Sequence, residues 1–397
     1  MKLRLLFLIR EAFPTFRPDV VDLFGRYLPR EGVDSDLVAV QVGDAEWGGG
    51  RIFAKPFRGK LPRWIVRFCL AFRLFDLARG EYTGIQVRDC ILEAGIGLLA
   101  ARWRRKPFYY WMSFPFPESW LELGTPGTSP GIKTARRFLW RLQGHVAVWL
   151  LYRLILPRAD HVFVQSEAMR EALARRGIAR ERMTAVPMGV AIPNQVVEVP
   201  PHAAQRLAGR RVVIYLGVIY SQRQSEVMLQ AMQWVRREVP EALLLVVGDA
   251  ETPSERAWFE QWIEREGLQD HVWITGWLPR EQAWAYLRHA EIGVSAFART
   301  PVFEVASPTK IGEYLAVGIP VVANDQPDQA YLLRETGGGL CVPLTPEGFA
   351  GGILALLKDP KRARRMGESG KRRISAIRGY PVIARELAEC YRRLTRM

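Results

Sequence analysis

Cysteine and histidine are scarce in this chain: four Cys and five His among 397 residues, with no CxxC pair. A disulfide scaffold and a structural zinc site are excluded, and Cys69, Cys90, Cys341 and Cys390 read as reduced, buried thiols. Long apolar runs are missing too. Residues 61–79 carry Arg63, Arg67, Arg73 and Asp76, and 145–157 is broken by Arg153, whereas a membrane-spanning helix needs about 20 apolar residues. The opening stretch Leu5–Ile9 is shorter than the about 7–15 residues of a signal-peptide core and fits a buried strand. Acidic residues are in deficit, 41 against 56 basic, for a formal charge of +15. That surplus implies an acidic partner: nucleic acid, a phosphorylated ligand or the anionic face of a membrane. With 49% hydrophobic and 24% charged residues the chain has the balance of a globular protein, so disorder is excluded. Its length accommodates roughly two or three domains.

The first half alternates strand-like and helix-like segments: strand Leu3–Ile9, helix Val20–Arg30, strand Asp36–Val42, a long helix over 61–79 and strand Gly84–Asp89. Helix Leu92–Trp103, strand Pro107–Trp111, a Pro/Gly-rich loop over 113–131, a helix over 133–156, strand His161–Gln165 and helix Glu167–Arg176 follow. Such alternation predicts a parallel sheet covered by helices. Residues Pro187–Gly209 hold four prolines and no clear helical period, which suits a linker. The pattern then restarts with strands Arg211–Leu216, Leu243–Val247, Val272–Thr275, Ile292–Ser295 and Val321–Ala323 between helices. The fold class is therefore α/β, two doubly wound Rossmann-like domains facing a cleft. The first covers 1–190, a linker 191–209 and the second 210–378, with a terminal helix over 379–397 expected to pack back on the first.

Ser307–Ala323 (SPTKIGEYLAVGIPVVA) carries the most chemistry. Ser307 is expected to cap a helix with Pro308 at its first position, and Gly318 and Pro320 end it. Lys310 and Glu313 then share one helix face. The start of this helix follows the carboxyl end of a strand, where open α/β sheets bind ligands. Free N–H groups, Thr309 and Lys310 suit a diphosphate there, and Glu313 can accept hydrogen bonds from vicinal sugar hydroxyls. The plainer reading is a surface Lys–Glu pair. Strand Arg211–Leu216 ends at Gly217, and the following loop supplies Arg223, either a phosphate fork or a solvated helix-start residue. Neither GxGxxG nor GxxxxGK[ST] occurs, which excludes those phosphate loops.

On these residues the second half resembles the donor-binding domain of family 4 glycosyltransferases, retaining sugar-nucleotide enzymes of the GT-B fold. The matching stretches are YLGVIYSQRQSEVMLQAM (215–232), ALLLVVGD (242–249), VWITGWLPREQAWAYLRHAEIGVSAF (272–297), the 307–323 segment and ETGGGLCVP (335–343). PRADHVFVQSEAM (157–169) and MTAVPMGV (183–190) match more loosely in the first half. The resemblance implies that Arg223 and Lys310 hold the donor diphosphate, that Glu313 binds the nucleotide ribose, and that Gly276, Trp277 and Leu278 line the base. Two departures accompany it. The family's first glutamate would fall on Val305, with Glu304 one residue away, and the histidine expected after an N-terminal-domain strand is missing where FYYWM (108–112) runs into SFPFPE, which begins at Ser113. Catalysis is then expected to rest on electrostatic support of the departing diphosphate by Arg223, Lys310 and helix N–H groups, with no metal and no cofactor.

On the acceptor side, Arg88, Asp89, Ser113 and Glu118 are candidates, with ordinary loop salt bridges as the alternative for them. Arg102, Arg104, Arg105, Lys106, Arg136, Arg137 and Arg141 lie beside Trp103, Phe138, Trp140 and Trp149, a combination that suits an anionic bilayer surface or plain solvated helix faces. The expectation is a glycosyltransferase moving a sugar from a nucleotide-sugar donor to a glycan or lipid-linked acceptor in cell-surface polysaccharide or glycolipid synthesis. It would be cytoplasmic or peripheral on the inner membrane face. The alternatives are a sugar-nucleotide epimerase or hydrolase on the same scaffold, a catalytically silent scaffold, and a basic nucleic-acid-binding protein. The last has no zinc finger, RNA-recognition signature or basic repeat behind it.

Overall fold

Short runs of Val, Ile, Leu and aromatic residues without polar alternation are the signature of strands buried on both faces, and they form two parallel sheets here. The computed structural model describes residues 3–59, 61–125, 134–192 and 197–395. The chain divides into two units. One comprises Met1–Glu122, Phe138–Gly189 and Arg378–Met397, the other Leu123–Arg137 and Val190–Ile377.

The first unit holds β1 (Leu3–Phe13), β2 (Val33–Gln41), β3 (Ile52–Pro56), β4 (Gly84–Arg88), β5 (Phe108–Met112), β6 (His161–Val164) and β7 (Met183–Ala185). Their spatial order is β3-β2-β1-β4-β5-β6-β7. The terminal helix Tyr380–Leu394 belongs to this unit. Its Tyr391 hydroxyl donates to Gln86 of β4, and its Tyr380 ring stacks on Tyr27 at 5.9 Å.

The second unit holds β8 (Arg211–Leu216), β9 (Ala242–Val247), β10 (Val272–Ile274), β11 (Ile292–Ser295), β12 (Val321–Asn324) and β13 (Gly339–Val342), ordered β10-β9-β8-β11-β12-β13. Order reverses beside β8, where strand β11 pairs on its other side. That is the topological switch point at which doubly wound sheets bind ligands.

Several expectations are corrected. The segment read as linker contains the helix Pro201–Leu207, opened by Pro200-Pro201 and fixed by burying Ala203 and Leu207. The loop over 113–131 contains the helix Phe116–Leu123; its residues 126–131 lie outside the described residues. The helix over 61–79 is two helices, Arg63–Ala71 and Leu74–Leu77, because tighter three-residue hydrogen bonds intervene at Arg73 and Phe75. All four cysteines are free thiols, but only Cys90 and Cys390 are buried. Cys341 is exposed on edge strand β13, and Cys69 on its helix.

Candidate active site

In the second unit the site is built at the carboxyl end of β8. Gly217 there has φ +128°, a region that L side chains rarely adopt, and a β-carbon would stand 3.8 Å from Lys310 Nζ. The turn Ser221–Arg223 follows, held from below by Glu255, whose carboxylate accepts from the Ser221 N–H and hydroxyl, each at 2.8 Å. The helix Thr309–Val317 comes in beside it. Tyr314 fixes that helix to the sheet: its hydroxyl accepts from Leu216 N at 2.7 Å and donates to Val294 O at 3.3 Å. Gly293 makes room for the ring, since a β-carbon there would overlap it.

These elements bring Arg223 and Lys310 together over aromatic faces instead of carboxylates. Lys310 is 6% exposed, and its Nζ lies 3.7 Å from the Tyr215 ring centroid and 5.4 Å from that of Phe297. Arg223 lies 5.0 Å from Phe297, 5.7 Å from Tyr220 and 5.8 Å from Phe303. Lys310 Nζ and Arg223 Nε are buried and make no hydrogen bond of ordinary geometry among the described residues. Ring quadrupoles attract cations without neutralising them, so the pair keeps its charge for a ligand. Burial lowers the Lys310 ammonium to about 8; nearby Arg223 pushes the same way, and Tyr215 partly opposes it. Burial alone would raise the Tyr215 phenol, but Lys310 and Arg223 outweigh it and bring it down to about 8. Two cations this close, with no carboxylate in ion-pair contact among the described residues, make a combination that suits a doubly charged anion.

The other expected donor-side residues are placed less uniformly. Glu313 is half-buried one turn beyond Lys310, on the same helix. Thr309 is the first helical residue, so its N–H is among those without an intrahelical acceptor. Ser307 is not the cap: Pro308 takes that position without a side-chain hydrogen bond, and the Ser307 hydroxyl donates to Asp328 at 2.8 Å. A buried hydroxyl next to a buried carboxylate takes the charged acceptor. Glu304 pairs with Arg299 at 2.9 Å, and Arg299 also holds Asp325, so the Glu304 carboxylate is engaged in a surface pair. Gly276 has φ +79°, Trp277 is 58% exposed and Leu278 packs against the core.

Sequence reasoning missed the parts that hold this seat. Tyr215, Phe297 and Phe303 look like ordinary core aromatics in sequence. Asn324, Gln326 and Gln329 are fully buried amides. Gln326 Nε2 donates to the carbonyls of Phe303 and Ala306 at 3.0 and 2.8 Å, and Asn324 exchanges hydrogen bonds with both backbone groups of Phe297 at 2.9 and 3.0 Å. They pin the 297–306 segment that carries the aromatic floor. Three amide side chains closely spaced after an apolar strand were the available signal.

In the first unit, Arg88 is 2% exposed and saturated: it binds Asp19 at 2.8 Å, Glu11 at 2.7 Å and Asp89 at 3.0 Å. Burial alone would lower its pKa, but the three carboxylates hold it well above the ordinary value. The alternative reading, a structural ion pair, is the one its geometry fits. Asp89 sits at φ +56° after β4 and binds Ser113 through both its N–H, at 2.7 Å, and its hydroxyl. Burial pushes the Asp89 carboxyl up, and Glu11 adds to this while Arg88 and Ser113 oppose. Glu118 accepts from Tyr152 at 2.7 Å and from Arg176 at 2.6 Å. The structure thus joins Asp89 to Ser113 but ties Glu118 to a separate pair. Among the described residues no group of three or more His, Cys, Asp or Glu is arranged to hold a metal ion.

A model of glycosyl transferases group 1 matches residues 202–373, and a model of glycosyltransferase family 4 matches residues 3–192. The chain is a family 4 glycosyltransferase of the GT-B fold. This glycosyltransferase is 22% identical over 275 residues to an uncharacterized glycosyltransferase of Bacillus subtilis (strain 168), covering 68% of this chain and 72% of the relative. It is 26% identical over 254 residues to the GDP-mannose-dependent alpha-(1-6)-phosphatidylinositol monomannoside mannosyltransferase of Mycolicibacterium smegmatis, covering 60% of this chain and 65% of the relative. Among solved structures, Anabaena HepE in complex with UDP superposes with a TM-score of 0.71 at 18% identity, over 98% of this chain and 100% of that one. Sucrose-phosphate synthase from Thermosynechococcus elongatus gives 0.73 at 19%, over 99% of each chain. At such identities these structures speak for the fold alone.

Proposed function

We propose that this glycosyltransferase takes a nucleoside-diphosphate sugar at the second unit and transfers the sugar, with retention at the anomeric carbon, to a glycan or lipid-linked acceptor in cell-surface polysaccharide or glycolipid synthesis. The observation that carries the donor reading is the pair of buried cationic groups, Lys310 Nζ and Arg223 Nε, that make no hydrogen bond of ordinary geometry among the described residues and lie above an aromatic floor at the switch point. HepE binds UDP and UDP-glucose, and the mycobacterial relative is named for GDP-mannose, which supports the donor class without choosing a base. When the bond between the anomeric carbon and phosphate oxygen breaks, the diphosphate keeps the electron pair. The charge growing on it meets Lys310, Arg223 and the first-turn N–H groups of the helix Thr309–Val317, a preorganised field that strengthens as the bond lengthens. Glu313, one turn on, is assigned to the ribose hydroxyls. With two cations supplying the compensation, transfer needs no metal.

The acceptor reading draws on the first unit, where Trp103, Phe138 and Trp149 are 73%, 70% and 60% exposed. Exposed Trp and Phe among basic residues suit the interface of an anionic bilayer, where a lipid-linked acceptor would lie. No described helix is long and apolar enough to cross a membrane. Arg102 and Arg104 are spent on Asp160 and on the Phe75 carbonyl, which leaves Arg141, Arg105 and Lys106 for headgroups. The test is transfer from a panel of nucleotide sugars by Lys310→Ala and Glu313→Ala variants whose circular dichroism matches the parent. Both should lose most turnover; undiminished turnover in both would refute the site.

A further inference from the structure

The helix Pro360–Arg378 carries a charge pattern that the donor site does not use. Its inner face holds Gly367, Gly370 and Ile374, all buried. The two glycines let the helix lie directly on Gly318 and Leu315, because a β-carbon at either would overlap them. That contact fixes which side faces out. At 3.6 residues per turn, Lys361, Arg365 and Arg372 run along the line opposite Gly370, with Arg364 and Lys371 beside them and Arg362 on the other flank. All six are exposed, and Glu368 is the helix's lone acid. Among the described residues none of the six side chains has a carboxylate within ion-pair distance. Some arginines elsewhere on this unit are paired, as Arg211 is with Glu291 and Arg256 with Asp249 and Glu260. Like charges three and four residues apart, such as Lys361 with Arg364 and Arg365, repel on a helix. The stripe therefore holds uncompensated charge that an external polyanion would relieve.

We propose that this helix is an electrostatic docking surface for anionic lipid headgroups, a second membrane contact that belongs to the donor-binding unit. The inference rests on the membrane reading above. Four to eight Lys/Arg on one amphipathic helix match the density that anionic leaflets recognise. The outer face carries no aromatic or large aliphatic residue, so it adsorbs without inserting. A bilayer is favoured over nucleic acid because the same chain exposes Trp103, Phe138 and Trp149, which phosphate-backbone binding does not call for.

The experiment is flotation of the full chain with phosphatidylcholine vesicles, with and without phosphatidylglycerol, across a salt series. The parent should bind only the anionic vesicles. A variant with Arg364→Gln, Arg365→Gln, Lys371→Gln and Arg372→Gln should lose about fivefold in partitioning per cation at low salt, on the order of several hundredfold together, and its salt slope should flatten. An Arg364→Lys, Arg365→Lys, Arg372→Lys variant should bind like the parent, which separates charge from fold. A Trp103→Ser, Phe138→Ser variant should bind more weakly at every salt and keep the slope. Parent-like partitioning and slope in the glutamine variant would overturn this inference and leave the membrane reading standing. A parent that binds no vesicles would overturn both. Loss of binding to a DNA duplex in the glutamine variant, with vesicle binding unchanged, would reassign the surface to nucleic acid.

Discussion

Replacing Lys310 with methionine should make the free enzyme more stable while abolishing its hold on the donor. Lys310 is buried as a cation beside Arg223, with no carboxylate in ion-pair contact among the described residues, and burial brings its pKa from 10.5 down to about 8. At about 1.4 kcal/mol per tenfold change, that drop corresponds to about 3 kcal/mol of unfavourable burial. That figure is already net of the support from Tyr215, whose ring lies 3.7 Å away. Methionine fills the same space without charge, so the variant should gain about 1–3 kcal/mol. For a unit of this size that is roughly 3–10 °C in Tm. The pH dependence fixes the sign independently. The unfolded chain holds the lysine proton up to about 10.5 and the folded chain only to about 8, so the penalty is complete below pH 8. It fades as pH rises between those values, and the gap between parent and variant should close over the same window. Thermal melts with and without UDP, GDP, ADP and TDP read both effects. The parent should be stabilised by at least one of these nucleotides, less so as pH rises above 8, and the variant by none. A variant that melts lower than the parent at neutral pH, or that keeps a nucleotide-induced shift, would refute the cation-receptor reasoning.

Two further substitutions test the framework. Gly293→Ala places a methyl against the Tyr314 ring and should cost about 1–3 kcal/mol in urea unfolding; it should also loosen the helix that presents Lys310, so nucleotide affinity falls with it. Arg88→Leu removes the buried cation that Glu11, Asp19 and Asp89 share. It should cost about 3–5 kcal/mol because buried carboxylates lose their counter-charge, and a loss below about 1 kcal/mol would show the cluster to be less coupled than its distances indicate.

Periodicity and punctuation revealed the two sheets because strands buried on both faces must be apolar and the helices between them must stop at Gly or Pro. The elements that escaped were those with weak local signals. Strands β3, β7 and β13 have five, three and four residues, lie at sheet edges and are too short to show a period. The helix Pro201–Leu207 hid behind a proline count, although Pro at the start of a helix is favourable. At the site, Lys310 and Glu313 were legible because a helix places residues three apart on one face. The floor beneath them was not: Tyr215 comes from β8 and Phe297 and Phe303 from the 297–306 segment, and no spacing rule joins them. Ser307 shows the limit most clearly. Local rules assign it to capping its own helix, yet its hydroxyl bonds to Asp328, twenty-one residues away. Capping is worth about 1 kcal/mol, whereas a hydrogen bond to a charged group is worth about 1.5–3 kcal/mol, so the distant partner prevails. The same inequality places the amides of Asn324, Gln326 and Gln329 behind the loop. Buried backbone groups of the 297–306 segment have to be satisfied by something, and only the folded chain decides which side chains are near enough to do it.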